Sequence, residues 1–350
     1  MHIKIEKPLM ESILSNIMGF TEKKDNTQIT SHILLEADEE LTIKATDKEI
    51  GIKLSTECEI LKKGKTTLNA KKINDIVKAL KNKEIEIISE NDKITVIQDT
   101  SVYKLISFDP NQFPEFPTTD NLEAIDINID EFQDAIKKIY PVIDTNNPKY
   151  ELNGALFDLK EKSNFVSTDT RRLAVYYSNA KAKENKIIVP KRSIAEIKRI
   201  IRDDMQIFYD ETYLILKNKN IFFFTKLING KFPTYEKIIP KNLIYKLKID
   251  KNEFLSHLKQ ISIVSTEVKI TIRKDKIEFE SISEESMQAK TSFDYSCDIE
   301  EFTFAVNSRY IIDFLTVIDT EEFILGLNEP NIPFILNSEN FLTIVMPLNI

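Results

Sequence analysis

Ile127-Asn128-Ile129-Asp130-Glu131-Phe132-Gln133-Asp134 reads as a short alternating strand, an acidic cap and the first turn of an amphipathic helix. The same reading applies to Ile3-Lys4-Ile5-Glu6-Lys7-Pro8-Leu9-Met10 and to Leu247-Lys248-Ile249-Asp250-Lys251-Asn252-Glu253-Phe254, which begin 124 residues before and 120 residues after it. A second marker keeps step: Leu68-Asn69-Ala70-Lys71-Lys72-Ile73, Val189-Pro190-Lys191-Arg192-Ser193-Ile194 and Ala305-Val306-Asn307-Ser308-Arg309-Tyr310 each lead from a strand into a helix, 121 and 116 residues apart. Two markers at nearly one period predict three homologous domains, 1–121, 122–243 and 244–350, each of ordinary domain size. Between the markers the residues alternate with period two, as in Leu41-Thr42-Ile43-Lys44-Ala45-Thr46, and turn residues such as Asn91-Asp92-Lys93 separate the runs. The expected class is therefore α+β: antiparallel strands with two helices in each domain. Phe113-Pro114-Glu115-Phe116-Pro117 and Phe232-Pro233-Thr234-Tyr235, with Pro240 beyond, suit linkers between domains.

Composition narrows the function classes. Of 350 residues 42% are apolar and 30% charged, which fits packed cores under a soluble surface. No apolar run approaches the roughly 20 residues that cross a bilayer, and residues 1–11 carry charge too early for a signal peptide, so a cytoplasmic protein without a membrane partner is expected. Cys58 and Cys297 lie in different repeats and are expected as free thiols. With only 6 glycines there is little room for Gly-rich cofactor loops, and no cofactor is expected. Gly64-Lys65-Thr66 resembles the end of a phosphate-binding loop, but Glu59 stands where the motif needs glycine. His2, His32 and His257 are scattered without helical partners, which disfavours a metal site or a Ser-His-Asp triad. Thr46-Asp47 and Thr168-Asp169 recur 122 residues apart, as a repeated structural turn would. A non-catalytic protein is expected.

The net charge of −8 argues against a protein that simply coats nucleic acid, yet the cations are not evenly spread. Around the helix after Val189, Ile194, Ile197, Ile200 and Ile201 fall on one side and Lys191, Arg192, Lys198, Arg199 and Arg202 on the other. The matching helix of the first repeat separates Ile73, Ile76, Ala79 and Leu80 from Lys71, Lys78 and Lys81, whereas the third keeps only Arg309. These bare basic stripes read either as solvated faces or as surfaces for sequence-independent phosphate contact.

Leu152-Asn153-Gly154-Ala155-Leu156-Phe157, followed by Ser167-Thr168-Asp169-Thr170-Arg171-Arg172-Leu173-Ala174-Val175, is where a specific resemblance begins. It resembles the bacterial DNA polymerase sliding clamp, the β subunit of the replicative polymerase. Gly230-Lys231-Phe232-Pro233-Thr234-Tyr235-Glu236-Lys237-Ile238-Ile239-Pro240 and Val345-Met346-Pro347-Leu348 match that family in order and spacing, so the resemblance covers the whole chain.

The resemblance implies a head-to-tail homodimer whose six clamp domains form a ring around duplex DNA, with the basic helices toward the hole. It implies loop contacts to DNA from Lys24, Asn146, Lys149 and Tyr150 beside the helix cations. It also implies a hydrophobic pocket for short segments of the polymerase catalytic subunit, the clamp loader, repair polymerases and other partners. By position that pocket comprises Leu152, Thr168, Arg172, Leu173, Pro233, Lys237, Ile238, Pro333, Val345, Met346, Pro347 and Leu348. Thr170-Arg171 stand where the family commonly has Gly-His, Lys237 where arginine is usual, and Asn349-Ile350 in place of a basic-apolar ending, so the preferred partner motif is expected to differ. Ring closure would place Tyr103 and Leu105 against Ile263 and Val264, with Lys72 pairing an acid near Glu284 or Glu285. A clamp-like peptide-binding scaffold that does not encircle DNA is the alternative.

Overall fold

The computed structural model describes residues 1–25, 27–120, 122–282 and 288–349. Among them are six α-helices: α1 (Lys7–Ile17), α2 (Ala70–Ala79), α3 (Ile129–Ile139), α4 (Lys191–Ile200), α5 (Lys251–Ser262) and α6 (Ser308–Val317). Each repeat contributes two, one after each marker. Three starts are fixed by side-chain caps that satisfy otherwise orphaned amides: Asn69 accepts from the Lys72 amide (3.0 Å), Asp250 from Glu253 (2.8 Å) and Asn307 from Arg309 (3.0 Å). The acidic cap expected at Glu6 is not formed; proline in the first turn of α1 presets the helical φ and brings no amide to satisfy. On α2 the buried positions are Ala70, Ile73, Asn74 and Val77, while Ala79, expected on the apolar side, is exposed. The short helix ends at its last turn, and Leu80 beyond it takes the buried place.

The chain divides into two compact units, Met1–Ile129 with Arg199–Leu227, and Asp130–Lys198 with Ile228–Ile350. Sheets do not respect the repeat boundaries. In the first unit an eight-stranded antiparallel sheet runs 123–125, 206–209, 213–217, 221–226, 50–56, 41–46, 32–37, 64–69, so strands of the second repeat continue a sheet of the first. The second unit repeats this with 185–190, 154–159, 164–168, 172–177, 341–345, 334–338, 322–327, 245–250. The joins fall at equivalent places: Phe223 pairs with Ile52 in the first unit, and Thr343 with Ala174 in the second. Each join removes two sheet edges whose unpaired amides and carbonyls would otherwise need water or a partner. A five-stranded sheet in the first unit ends at strand Ser101–Ile106, and a four-stranded sheet in the second ends at Lys290–Asp294.

The repeated Thr-Asp pairs make the same turn twice. Thr46 Oγ1 donates to the Ile50 carbonyl and accepts from the Lys48 amide, while Asp47 Oδ1 accepts from the Glu49 and Ile50 amides. Thr168 and Asp169 reproduce every one of these bonds with Arg172, Thr170 and Arg171. Lys48 (φ 77°) and Thr170 (φ 71°) hold the left-handed position of each turn. The carboxylates are therefore committed to turn geometry.

Candidate peptide groove and nucleic-acid faces

In the second unit, alternation along the strands decides which side chains can meet a ligand. Leu156, Val166, Leu173, Val175, Ile335, Leu342 and Ile344 form one apolar layer on the sheet face that the linker crosses, with Tyr235 and Ile188 packed into it. Ile228, Phe232, Ile239 and Leu243 of the linker cover part of that layer. Met346 shares the parity of Ile344 but is 41% exposed, and its amide donates to the Arg171 carbonyl at 2.9 Å. Leu348 donates to the Ala305 carbonyl at 2.8 Å, so the last described residues run from the 168–172 hairpin across to strand Glu301–Asn307. Pro233, Lys237 and Ile238 are exposed on the linker, Ile238 by 47%, while Pro333, Pro347 and Leu348 are half-buried. Leu152 is buried at the base of the 144–153 loop, at the same end of the sheet as the hairpin. Outside this buried layer the linker leaves Ile238 exposed and the tail leaves Met346 exposed.

Two expected lining residues turn the other way. Arg172 and Val345 are paired neighbours on the opposite, helix-facing side, where both are buried. Arg172 donates from Nε to Asp169 (2.9 Å), from Nη1 to Asp313 of α6 (2.7 Å) and from Nη2 to the Pro141 carbonyl (2.9 Å), with its guanidinium 4.6 Å from the Tyr310 ring centre. It holds the hairpin from behind. Ile344, two residues before Met346 and not among the residues the resemblance implies, belongs to the buried apolar layer. Tyr235 was missed as a linker anchor: its hydroxyl donates to Asp158 at 2.7 Å and accepts from Asn164 at 2.8 Å. Burial pushes the Asp158 carboxyl up, but hydrogen bonds from Lys160 and Tyr235 outweigh it and hold the group below its usual range.

The basic stripes differ from one another. On α2, Lys71 and Lys78 are exposed, as is Lys81 just beyond the helix and Lys24 on its loop. The α4 stripe is not bare. Lys191 donates to the Ile143 carbonyl (2.6 Å) and Thr145 (2.9 Å), and Lys198 lies 4.4 Å from the Tyr140 ring centre. Burial lowers the pKa of both lysines. Arg199 donates to the Ser15 and Asn16 carbonyls near the end of α1, at 2.8 and 2.7 Å, and Arg202 caps its own helix through the Ile201 carbonyl at 2.7 Å. Guanidinium donors suit such orphaned carbonyls, which is why these two arginines serve the fold. Arg192 is exposed. The 144–153 loop is braced by Asn147 and Asn153, with Asn147 N donating to Asn153 Oδ1 at 2.7 Å, and presents Asn146, Lys149 and Tyr150 outward. Tyr150, 57% exposed, ties to the Asn229 carbonyl at 2.6 Å.

At the free sheet edge Tyr103 and Leu105 are half-buried, and it is Val102 (55%) and Ile106 (74%) that are most exposed. Alternation puts the two pairs on opposite faces. Beside the edge, His32, Asn69, Lys72, Lys104 and Ile106 line a cavity of about 380 Å³. Burial, helped by Lys72, pushes the His32 pKa down to about 4, and its ring lies 4.3 Å from that of Phe108. Beyond α5, Ile263 is 85% exposed and Val264 half-buried. Glu284 and Glu285, expected to pair with Lys72, lie outside the described residues.

Among the described residues no cluster of three or more His, Cys, Asp or Glu side chains could hold a metal, and no helix is long and apolar enough to cross a membrane. Cys58 and Cys297 are both unpaired. Three tandem domains of strand-helix repeats, joined through shared sheets, form a DNA-clamp architecture. Profiles of the DNA polymerase III beta subunit match in order along the chain: the N-terminal domain over residues 1–117, the central domain over 126–234 and the C-terminal domain over 236–348. The chain is 36% identical to the beta sliding clamp of Helicobacter pylori over 351 residues, covering 96% of this chain and 94% of that one. It is 26% identical over 359 residues to the beta sliding clamp of Staphylococcus aureus, covering 96% and 95%. A crystal structure of the Helicobacter pylori beta clamp bound to a DNA ligase peptide superposes with a TM-score of 0.95 at 35% identity, covering 100% of both chains. The chain belongs to the DNA polymerase III beta subunit family, the beta sliding clamps, which are non-catalytic processivity factors of DNA replication.

Proposed function

We propose that two copies of this chain close head to tail into a ring around duplex DNA and tether the polymerase, the clamp loader and repair enzymes through the groove beside Met346. The repeated joins carry the ring. Strand Ile50–Thr56 pairs with Ile221–Lys226, and its repeat equivalent Arg172–Tyr177 pairs with Phe341–Val345. One repeat further, the same rule pairs Lys290–Asp294 of one copy with Ser101–Ile106 of another, each the last strand of its sheet. Exposed Ile263, Val102 and Ile106, with Val264, Tyr103, Leu105 and Lys72, would be covered in that join. Lysines 24, 71, 78, 81 and 149, with Arg192, Asn146 and Tyr150, would contact phosphates without reading sequence, which permits sliding. Val102 and Ile106 side chains then act at the join, not at the DNA.

The DNA ligase peptide bound by the Helicobacter pylori clamp supports the groove assignment here, since exposed Met346 stands over the buried apolar layer of Leu173 and Ile344, beside a polar hairpin. Loaded protein should stay on nicked circular DNA and slide off once the circle is cut; equal retention on both would overturn encirclement and leave a peptide-binding scaffold. Replacing Met346 and Leu348 with alanine should weaken binding of a ligase- or polymerase-derived peptide about tenfold at unchanged dimer mass, the factor that about 1.4 kcal/mol represents. Unchanged affinity would place the groove elsewhere.

A further inference from the structure

We propose that Asp313, on α6 and on the far side of the sheet from the groove, is a positioning residue for peptide binding, acting through Arg172. This rests on the groove assigned above. Strand Arg172–Tyr177 begins at the hairpin, and its first two residues point to opposite faces: Arg172 toward the helices, Leu173 into the apolar layer. Whatever fixes the Arg172 side chain therefore fixes where Leu173 enters the groove. The guanidinium is nearly sealed from solvent, its side chain 5% exposed, and is neutralised by two carboxylates, Asp169 at 2.9 Å and Asp313 at 2.7 Å. Asp169 belongs to the same hairpin and moves with it. Asp313 belongs to another element, so it is the charged anchor that ties the hairpin to the helix layer, assisted by the Pro141 carbonyl and the Tyr310 ring.

The same hairpin holds the terminal tail, because the Arg171 carbonyl accepts from the Met346 amide at 2.9 Å. Both apolar walls, Leu173 and Met346, thus take their places from two adjacent residues that Asp313 restrains from behind. Without the Asp313 charge, a buried guanidinium keeps one carboxylate, and the cheapest relief is to draw toward Asp169. Asp169 also accepts from the Arg171 and Arg172 amides at 3.0 and 2.9 Å, so that movement distorts the turn and shifts Met346.

The test compares the full-length dimer of three variants with the parent, using a fluorescein-labelled peptide from the DNA ligase of the same cell and fluorescence anisotropy. Asp313→Asn should weaken binding about tenfold and move the Met346 methyl resonance of the peptide-free protein. Asp134→Asn is the control: it removes the carboxylate from Lys138, whose side chain is 6% exposed, in the same unit. It should cost similar thermal stability while leaving peptide affinity and the Met346 resonance unchanged. Met346→Ala reports on the groove itself. Affinity in Asp313→Asn within twofold of the parent while Met346→Ala binds weakly would overturn the proposal and spare the groove. Equal weakening in Asp313→Asn and Asp134→Asn would also overturn it, since general destabilisation would then explain both. Native affinity in Met346→Ala would overturn the groove reading and this proposal with it.

Discussion

Replacing Tyr235 with phenylalanine isolates the contact that pins the inter-domain linker. The ring is 1% exposed inside the apolar layer, and phenylalanine keeps its volume, so no cavity forms. What is lost is the hydroxyl. It donates to the Asp158 carboxylate at 2.7 Å and accepts from the Asn164 amide at 2.8 Å, and Asp158 is only 3% exposed. A hydrogen bond to a charged group contributes about 1.5–3 kcal/mol and a neutral one about 1 kcal/mol. Asp158 keeps Lys160 at 2.7 Å and Lys186 at 3.5 Å, which favours the lower end, so the expected loss is about 2–3 kcal/mol. The sign with pH follows from the depressed Asp158 pKa. Its contribution is present above the unfolded carboxyl value and disappears as pH falls through the folded one. In the phenylalanine variant burial meets less opposition and the depression shrinks, so parent and variant should differ most at neutral pH and less as pH falls through the folded Asp158 value, the Asn164 part of the deficit remaining. Urea unfolding at several pH values, followed by circular dichroism and by tyrosine fluorescence in a chain with 0 tryptophans, measures this. A deficit below about 0.5 kcal/mol at pH 7, or one that does not diminish at all in acid, would refute the assignment of the linker anchor.

Thr170→Gly should raise stability by about 0.5–1 kcal/mol, because a β-branched residue at φ 71° is strained by more than glycine costs in chain entropy; a lower melting temperature would contradict this. Arg199→Ala should destabilise the unit containing α1 by about 1–2 kcal/mol through its two lost carbonyl contacts, whereas Lys78→Ala should leave unfolding unchanged and weaken DNA retention with a shallower salt dependence. His32, buried neutral with its pKa pushed down to about 4, binds its proton more readily when unfolded. Its contribution is full above about pH 6.5 and is lost as pH falls toward 4, so His32→Gln should flatten the acid limb of the stability profile by up to about 3 kcal/mol. An identical limb in both proteins would show that His32 is not the responsible group.

The sequence exposed the repeat well because its signals are local. Alternating Ile3 and Ile5, Ile127 and Ile129, and Leu247 and Ile249 precede helices with period 3.6, and caps such as Asn69, Asp250 and Asn307 mark the starts. The sharing of sheets between repeats was not legible, since nothing in strand Ile221–Lys226 names Ile50–Thr56 as its neighbour. Groove residues were expected from resemblance, and pairing register sets which face each one takes: Val345 and Arg172 lie one residue away from the apolar layer to which Ile344 and Leu173 belong. The engagement of Arg199 and Arg202 was hidden for another reason. A cation on a helix looks the same in sequence whether its target is a phosphate or the carbonyls of another helix end.

The duplicated Thr-Asp turn has a consequence for how many partners can be served at once. At the first join the Lys226 amide donates to the Glu49 carbonyl at 2.8 Å, as Met346 does to Arg171 at the second, but there the side chains form a Lys226–Glu49 ion pair at 3.0 Å. A charged pair sits over one socket, and an exposed thioether stands at the mouth of the other. Duplication made two equivalent joins per chain, and this difference leaves one with an apolar side chain for a peptide to meet. If peptides dock beside Met346 as proposed, an assembly of these chains would offer as many docking places as it has chains, fewer than its domain junctions would allow. Proteins that dock there would have to share that supply or displace one another.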